Sequence, residues 1–491
     1  MGRDIDAVTF TSEDRARYRD KLKECLEVFR LLLDQGRFEI GRKLAGIEVE
    51  LYVVDGDGIP LNINAELLER MANDDFQTEL AQFNIEFNLA PHKLVGTVFR
   101  EFEEELVTAF EYAQSRATEL GAHAVMVGIM PTLNDLHVKL PNISANPRYA
   151  LLNEQILAAR GEDVAIDIEG TEHLAIRQNS IMLEAAATSV QLHLQVSPDG
   201  FPRVWNAAQA IAAAQVALGA NSPWLLGKEL WRETRVAVFE QAIDTRTQEL
   251  AAQGVRPRVW FGERWITSAL DLWEENVLYF PALLPLVEDE DPATEIAAGR
   301  IPHLAELTLH NGTIYRWNRP VFAVARGKPH LRVENRVLPA GPSAVDTIAN
   351  AAFYYGLIRG MADLERPISD QLSFSAATDN FFAAARDGIE AQLYWPGLGE
   401  VPASELVLRT LLPLAREGLD AWEVKPQDRD FYLGIIEQRA LTRRNGASWQ
   451  VDVVRRLLDQ GMQRRAALIE MTRRYMTNQR ANEPVHIWPL D

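Results

Sequence analysis

In the segment GIEVELYVV, residues 46–54, two carboxylates stand on the same side of a two-residue alternation. Ile47, Val49, Leu51 and Val53 point one way, and Gly46, Glu48, Glu50 and Tyr52 the other, which is the period of a β-strand. Glu48 and Glu50 then lie roughly 7 Å apart on one surface. Three further segments repeat the pattern. In QFNIEFNLAP, Phe83, Ile85, Phe87 and Leu89 alternate with Asn84, Glu86 and Asn88. In TSVQLHLQV, Val190, Leu192, Leu194 and Val196 alternate with Ser189, Gln191, His193 and Gln195. In HLRVENRVL, Leu331 and Val333 alternate with His330, Arg332, Glu334 and Arg336, and Asn335 interrupts the apolar side. Taken singly, each reads as a half-exposed antiparallel strand with a solvated polar face. Together the polar faces hold three glutamates on two strands, an imidazole flanked by glutamines, and two arginines bracketing a fourth glutamate, without a lysine. That composition suits the lining of a cavity better than a surface in bulk water.

Carboxylates gathered on one surface repel and raise each other's pKa unless a cation sits between them. Oxygen-rich ligands with one imidazole suit Mg²⁺ or Mn²⁺ better than Zn²⁺. Arginines beside them suit phosphate, whose oxygens match the guanidinium fork. The combination describes a metal–nucleotide phosphoryl-transfer site. Neither a Walker-A loop nor a dinucleotide fingerprint is present, and DGDGIP reads as a turn, so the sheet itself must hold any ATP.

The chain that positions these strands has 491 residues, enough for one to three domains, and is 47% hydrophobic and 24% charged, an ordinary globular balance. A net charge of −20 and a pI near 5.0 argue against nucleic acid or a membrane surface as general partners. The lone cysteine, Cys25, sits in the helical pattern KLKECLEVFRLLL, so an intramolecular disulfide is excluded and a packing role is expected. The opening residues MGRDIDAVTF lack the segments of a secretory leader, Asp6 breaks the myristoylation pattern, and no apolar run spans a bilayer. A cytoplasmic setting is the expectation.

Helical patterns cover the first 36 residues, Arg100–Ala122 with a stop at Gly121, and the alanine-rich RVWNAAQAIAAAQVALG, where Gly219 is expected to end the helix in the left-handed conformation. A strand is expected over HAVMVGIMPTL, and an exposed acidic loop over Val287–Glu295. From SAVDTIANAAFYYGLIRGMADL onward the pattern is mostly helical and no linker precedes it. Helices and strands mix without regular βαβ alternation, which favours an α+β antiparallel sheet.

Six short segments, in order over Gly46–Pro342, carry a resemblance: GIEVE, IEFNLAP, MLEAAATSVQLHLQV, ANSPW followed by WRETRVAVFE, HNGTIYRWNRP, and LRVENRVLPAGPS. They resemble the glutamate–cysteine ligase type 2 family, within the glutamine-synthetase-like carboxylate–amine ligases. The resemblance implies a curved antiparallel sheet whose concave face binds divalent metal (Mg²⁺ or Mn²⁺) and ATP as co-substrate, with helices on the outer face. It implies Glu48, Glu50 and Glu86 as metal ligands, and Glu334 with His193 or Gln191 at a further metal site. Arg332, Arg336 and Arg319 would serve the transferring phosphate, and Arg232 and Arg235 of WRETR the amino-acid substrate's carboxylate. An ordinary charged helix explains WRETRVAVFE equally well. The implied organisation is a helical segment over 1–36, a catalytic core over 37–362, and a helical C-terminal region over 363–491 packed on it. The implied activity joins L-glutamate to an amine such as L-cysteine at the expense of ATP. The rivals are another acid or amine on the same site, a metal-dependent phosphohydrolase, and a non-catalytic nucleotide or metabolite sensor.

Overall fold

The four alternating segments pair into one antiparallel sheet. The computed structural model describes residues 10–491. Its main strands are β1 (Leu44–Val54), β2 (Phe76–Thr78), β3 (Asn84–Asn88), β4 (His92–Lys93), β5 (His123–Val125), β6 (Ser189–Val196), β7 (Asn318–Ala325) and β8 (Lys328–Pro339). Their order is β7-β8-β6-β1-β3-β2, with β4 and β5 on opposite ends of β1. The sheet curls into a half-barrel, the α+β architecture expected for the carboxylate–amine ligase type.

Register decides which side chains meet. Glu50 stands opposite Glu86, Glu48 opposite Gln191, and His193 opposite Glu334, which in turn faces Arg319. A slip of one residue would send all of them to the other face, and burial prevents it. The alternate residues Ile47, Val49, Ile85, Phe87, Leu192 and Leu194 are buried on the convex side.

Ten helices surround this sheet in the account that follows: α1 (Ser12–Asp34), α2 (Val98–Glu119), α3 (Pro147–Arg160), α4 (Phe201–Gly219), α5 (Thr234–Ala242), α6 (Ala344–Ala362), α7 (Leu412–Ala421), α8 (Pro426–Thr442), α9 (Gly446–Asp459) and α10 (Arg464–Arg480). Helix α4 packs on β8, and α6 packs on α4. Every residue of α4 from Val204 to Gly219 is buried, so its alanines are contact residues that allow close approach. Asn335, which interrupts the apolar side of β8, is buried in an amide ladder. It exchanges hydrogen bonds with Gln215 of α4 and donates to Asn318, which donates to Gln209. The polar break in the sequence is thus a satisfied link between sheet and helix.

Two expectations are corrected. Gly219 is not left-handed: α4 runs through it, and its role is space, since a Cβ there would lie 2.8 Å from Leu338 Cδ2. The strand expected over HAVMVGIMPTL stops at Val125 because the next peptide pairs with side chains instead. The Met126 N–H donates to Gln479 Oε1, and its carbonyl accepts from Gln479 Nε2 and the Tyr475 hydroxyl, all from α10.

The C-terminal helices are fastened by buried polar groups. Arg439 of α8, 1% exposed, holds Asp346 of α6 at 2.6 Å and also donates to Asn350. Helix α7 crosses α6 at Gly356, Gly360 and Gly418. Residues 1–9, which include the stretch read for a leader and the start of the expected 1–36 helical segment, lie outside the described residues; the rest of that segment carries α1. Among the described residues no helix is long and apolar enough to cross a membrane.

A Cβ on Gly418 would lie 1.9 Å from the Gly356 carbonyl oxygen, a backbone atom that cannot rotate away. Gly418→Ala is therefore expected to destabilise the fold by about 3 kcal/mol, the upper range for overpacking, read from urea unfolding. An unchanged midpoint would contradict the close crossing.

Candidate functional site

The concave face of the sheet forms the floor of a cleft of about 1620 Å³. Strands β1 and β3 bring Glu48, Glu50 and Glu86 to it, β6 brings Gln191 and His193, and β7 and β8 bring Arg319, Arg332, Glu334 and Arg336. The sequence alternation is the cause: polar residues face the cleft because their neighbours are in the core.

At one end, ligand-type oxygens of Glu50, Glu79 and Glu86 lie within 4.8 Å of one another. Burial, and then the Glu50 field, pushes Glu79 up to about 7. Burial followed by Glu79 and Glu48 pushes Glu86 well above the usual carboxylate range. Glu50 is positioned most tightly: it accepts from the Ser189 N–H at 2.6 Å, the Ser189 hydroxyl at 3.1 Å and Gln191 Nε2 at 2.9 Å. Three carboxylates with raised pKa values, facing open volume, are a donor set that a hard divalent cation fits. The sequence reading found Glu50 and Glu86 but missed Glu79. Glu79 follows the short strand β2 in FQTELAQ, outside any alternation, so its only signal was the pairing of β2 with β3.

A second group lies across β1, β6 and β8. His193 Nε2 approaches Glu48 Oε1 at 2.9 Å, a contact of ion-pair distance without hydrogen-bond geometry, and Nδ1 has no hydrogen-bond partner among the described residues. Burial raises the Glu48 carboxyl, but His193 outweighs it and the net shift is downward. Glu334 is gripped on both oxygens: Arg319 donates to Oε2 at 3.1 and 2.9 Å, and Arg336 Nη1 to Oε1. Against the cost of burial, Arg319, Arg336 and His193 hold Glu334 well below the usual range. The acidic residues thus divide into a triad that forms no ion pair among the described residues and a pair, Glu48 and Glu334, in direct contact with His193 and with arginine respectively. Gln191 is engaged at both ends, donating to Glu50 and accepting from Arg336 Nη1 at 2.5 Å. Of the two β6 candidates, His193 keeps an unused nitrogen.

The arginines also divide. Arg332 lines the cleft beside Glu334 but forms no ion pair among the described residues, and its Nε is buried without a partner. Burial lowers its pKa and Glu334 opposes that. Arg235, 3% exposed, is anchored at the cleft wall: Nε donates to Glu233 at 3.2 Å, and Nη2 to the Val337 carbonyl at 2.6 Å. It supports the irregularity in β8 between Asn335 and Leu338. Arg232 is not among the cleft-lining residues; it pairs with Glu229 at 3.2 Å, away from the groups above. The geometry therefore brings Arg319, Arg332 and Arg336 together, keeps Arg235 at the wall, and leaves Arg232 out. It adds Glu184, from a short turn before β6, which burial and Glu50 push up to about 8. Glu184 stood inside the segment MLEAAATSVQLHLQV, but one glutamate among alanines carries no periodic signal.

The model of the family described as Glutamate-cysteine ligase family 2 matches residues 44–474. No curated protein matches the chain. Among solved structures, the glutamate–cysteine ligase from Francisella tularensis, in complex with AMP, superposes with a TM-score of 0.53 at 12% identity, covering 91% of each chain. A bifunctional glutathione synthetase from Pasteurella multocida gives a TM-score of 0.53 at 12% identity, covering 93% of this chain and 55% of its own. At such identity the two structures speak for the fold. The family match runs from β1 into α10 and takes in every cleft residue named above: the chain belongs to glutamate–cysteine ligase family 2.

Proposed function

We propose that the protein is an ATP-dependent carboxylate–amine ligase that joins the side-chain carboxylate of L-glutamate to an amine such as L-cysteine. The observation that carries this reading is the juxtaposition, in one cleft, of a carboxylate triad and an arginine, none of which forms an ion pair among the described residues. A cation-binding end facing an anion-binding end is what a metal–nucleotide substrate requires. Family membership supports the same reaction class.

Glu50, Glu79 and Glu86 would hold one Mg²⁺ or Mn²⁺, and Glu48, His193 and Glu334 supply donors for another. Such cations neutralise phosphate charge and polarise the transferring group. The chain's own residues do the rest. A substrate carboxylate oxygen attacks the γ-phosphorus, the bond to ADP breaks, and an acyl phosphate forms. The neutral amine nitrogen then attacks the acyl carbon, the carbon–oxygen bond to phosphate breaks, and the amide forms as the nitrogen's proton passes to the departing phosphate. Arg332 receives the phosphoryl oxygens, being the arginine of the three with no carboxylate partner. Arg319 and Arg336, fixed on Glu334, arrive already oriented, so their charge acts without reorganisation during transfer.

The direct test is ADP release with Mg²⁺ and ATP, varying the acid and the amine. ADP that depends on L-glutamate and L-cysteine, with a γ-glutamyl amide of matching mass, is the expected result. ADP with another acid or amine would replace the substrates and keep the chemistry; no ADP with any pair would overturn the ligase reading. Glu50→Gln is expected to lower kcat/KM by about 100-fold or more, as loss of a metal ligand, with a thermal midpoint no lower than that of the wild type. Near-normal turnover would remove Glu50 from the metal site. Arg332→Ala is expected to lower kcat by about 100-fold, the scale of one lost charge-stabilising donor, checked under saturating ATP. A change confined to the KM for ATP would show binding without transition-state stabilisation.

A further inference from the structure

Strand register delivers two members of the carboxylate triad but not the third. Glu50 and Glu86 stand opposite each other on β1 and β3. Glu79 lies one residue past the ladder, since β2 ends at Thr78, whose partner is Ile85. A side chain just beyond a strand end is ordinarily free to swing, yet the carboxylate of Glu79 meets the other two within 4.8 Å. Its placement comes from the segment that leads into α3.

Three consecutive carbonyls, those of Thr78, Glu79 and Leu80, accept hydrogen bonds from two residues. The Tyr149 hydroxyl donates to the Thr78 carbonyl at 2.9 Å, the Ser144 hydroxyl to that of Glu79, and the Ser144 N–H to that of Leu80 at 2.8 Å. The Ser144 hydroxyl in turn accepts from Asn64 Nδ2 at 2.9 Å, which also reaches the carbonyls of Ala81 and Asn84. Ser144 and Asn64 are both buried. Tyr149 stands on the first turn of α3. That helix is fixed at its start by the Asn146 cap, and one turn beyond Tyr149 by Asn153, which accepts from the Ile181 N–H at 3.0 Å. The clamp reaches the carboxylate directly. Glu79 Oε2 accepts from the Leu80 N–H at 3.2 Å. That N–H and the Glu79 carbonyl are two sides of one planar peptide unit. Ser144, by fixing the direction of the carbonyl, fixes that of the N–H and with it the carboxylate.

We propose that Ser144 and Tyr149 are positioning residues of the cation site, holding Glu79 where its carboxylate joins those of Glu50 and Glu86 around one divalent ion. This rests on the reading of the triad as a cation site and names what completes it. Both residues act through Glu79 rather than on the ion. Without them, repulsion by the two neighbouring carboxylates would turn Glu79 toward water. A ligand that must be recovered from other orientations on binding gives up part of its affinity, and groups that hold a ligand in place restore it.

The test is Mn²⁺ titration of the full chain without nucleotide, read by electron paramagnetic resonance at the site that Glu86→Gln removes. Ser144→Ala and Tyr149→Phe are each expected to weaken Mn²⁺ binding by about 10-fold, the scale for losing a partner that orients a metal ligand. Tyr432→Phe is the comparison. It removes a hydroxyl hydrogen bond of 2.6 Å, to Glu103, outside the cleft, and is expected to bind Mn²⁺ as the wild type does. A purely structural role would lower thermal midpoints and leave Mn²⁺ affinity alone. Wild-type affinity in either folded variant would overturn the role of that residue, and a loss in Tyr432→Phe equal to theirs would overturn both, while the cation site stands. No bound Mn²⁺ in the wild type would overturn the cation reading and the assignment with it. Tyr149 is half-buried, so Tyr149→Phe decides the matter if Ser144→Ala does not fold.

Discussion

The burial of three carboxylates against one another on a curved sheet is the constraint around which this protein is organised. Glu50, Glu79 and Glu86 are brought within 4.8 Å by strand register, not by any attraction among themselves. Their raised pKa values express first the cost of burial and then, for Glu79 and Glu86, repulsion by neighbouring carboxylates, a local cost that the packing of the rest of the molecule must outweigh. The packing is correspondingly dense. The convex side of β1, β3 and β6 is buried, α4 lies against β8 with alanines and Gly219, and α6 and α7 meet through glycines. Such a scaffold can hold an unfavourable cluster in place because closely packed interiors do not yield continuously.

The other end of the cleft solves the opposite problem. Arg319, Arg332 and Arg336 are like charges, and Glu334 beneath them accepts from two of the three. Gln191 connects the ends, with its amide nitrogen on Glu50 and its oxygen on Arg336. A single side chain thereby couples the orientation of a triad carboxylate to that of an arginine at the other end of the cleft. Arg235, pinned to Glu233 and the Val337 carbonyl, secures the stretch of β8 from which Arg336 projects.

Much of this was legible in the sequence because strands with one buried face advertise both faces. The alternation in residues 46–54, 83–89, 189–196 and 330–336 identified the cleft's Glu48, Glu50, Glu86, His193, Arg332, Glu334 and Arg336, whereas Arg319 and the rest of β7 lay outside it. Residues delivered by turns and helices were not legible. Glu79 and Glu184 have no periodic context, and their place follows from tertiary packing alone. WRETR divides: Arg232 lies outside the cleft, whereas Arg235 lines its wall in a buried pair with Glu233 at 3.2 Å, a partner that no periodicity announces. Asn335 and Gly219 show the same limit, since the amide ladder and the close approach to Leu338 involve partners distant in sequence.

The central claim is that the carboxylate triad exists to hold a divalent cation, and its most direct test needs no turnover. Mn²⁺ binding to the resting protein, followed by electron paramagnetic resonance, should show bound ion in the wild type and its loss from that site in Glu86→Gln, with Mg²⁺ displacing it. Absence of bound Mn²⁺ in the wild type, or equal binding in Glu86→Gln, would contradict the account.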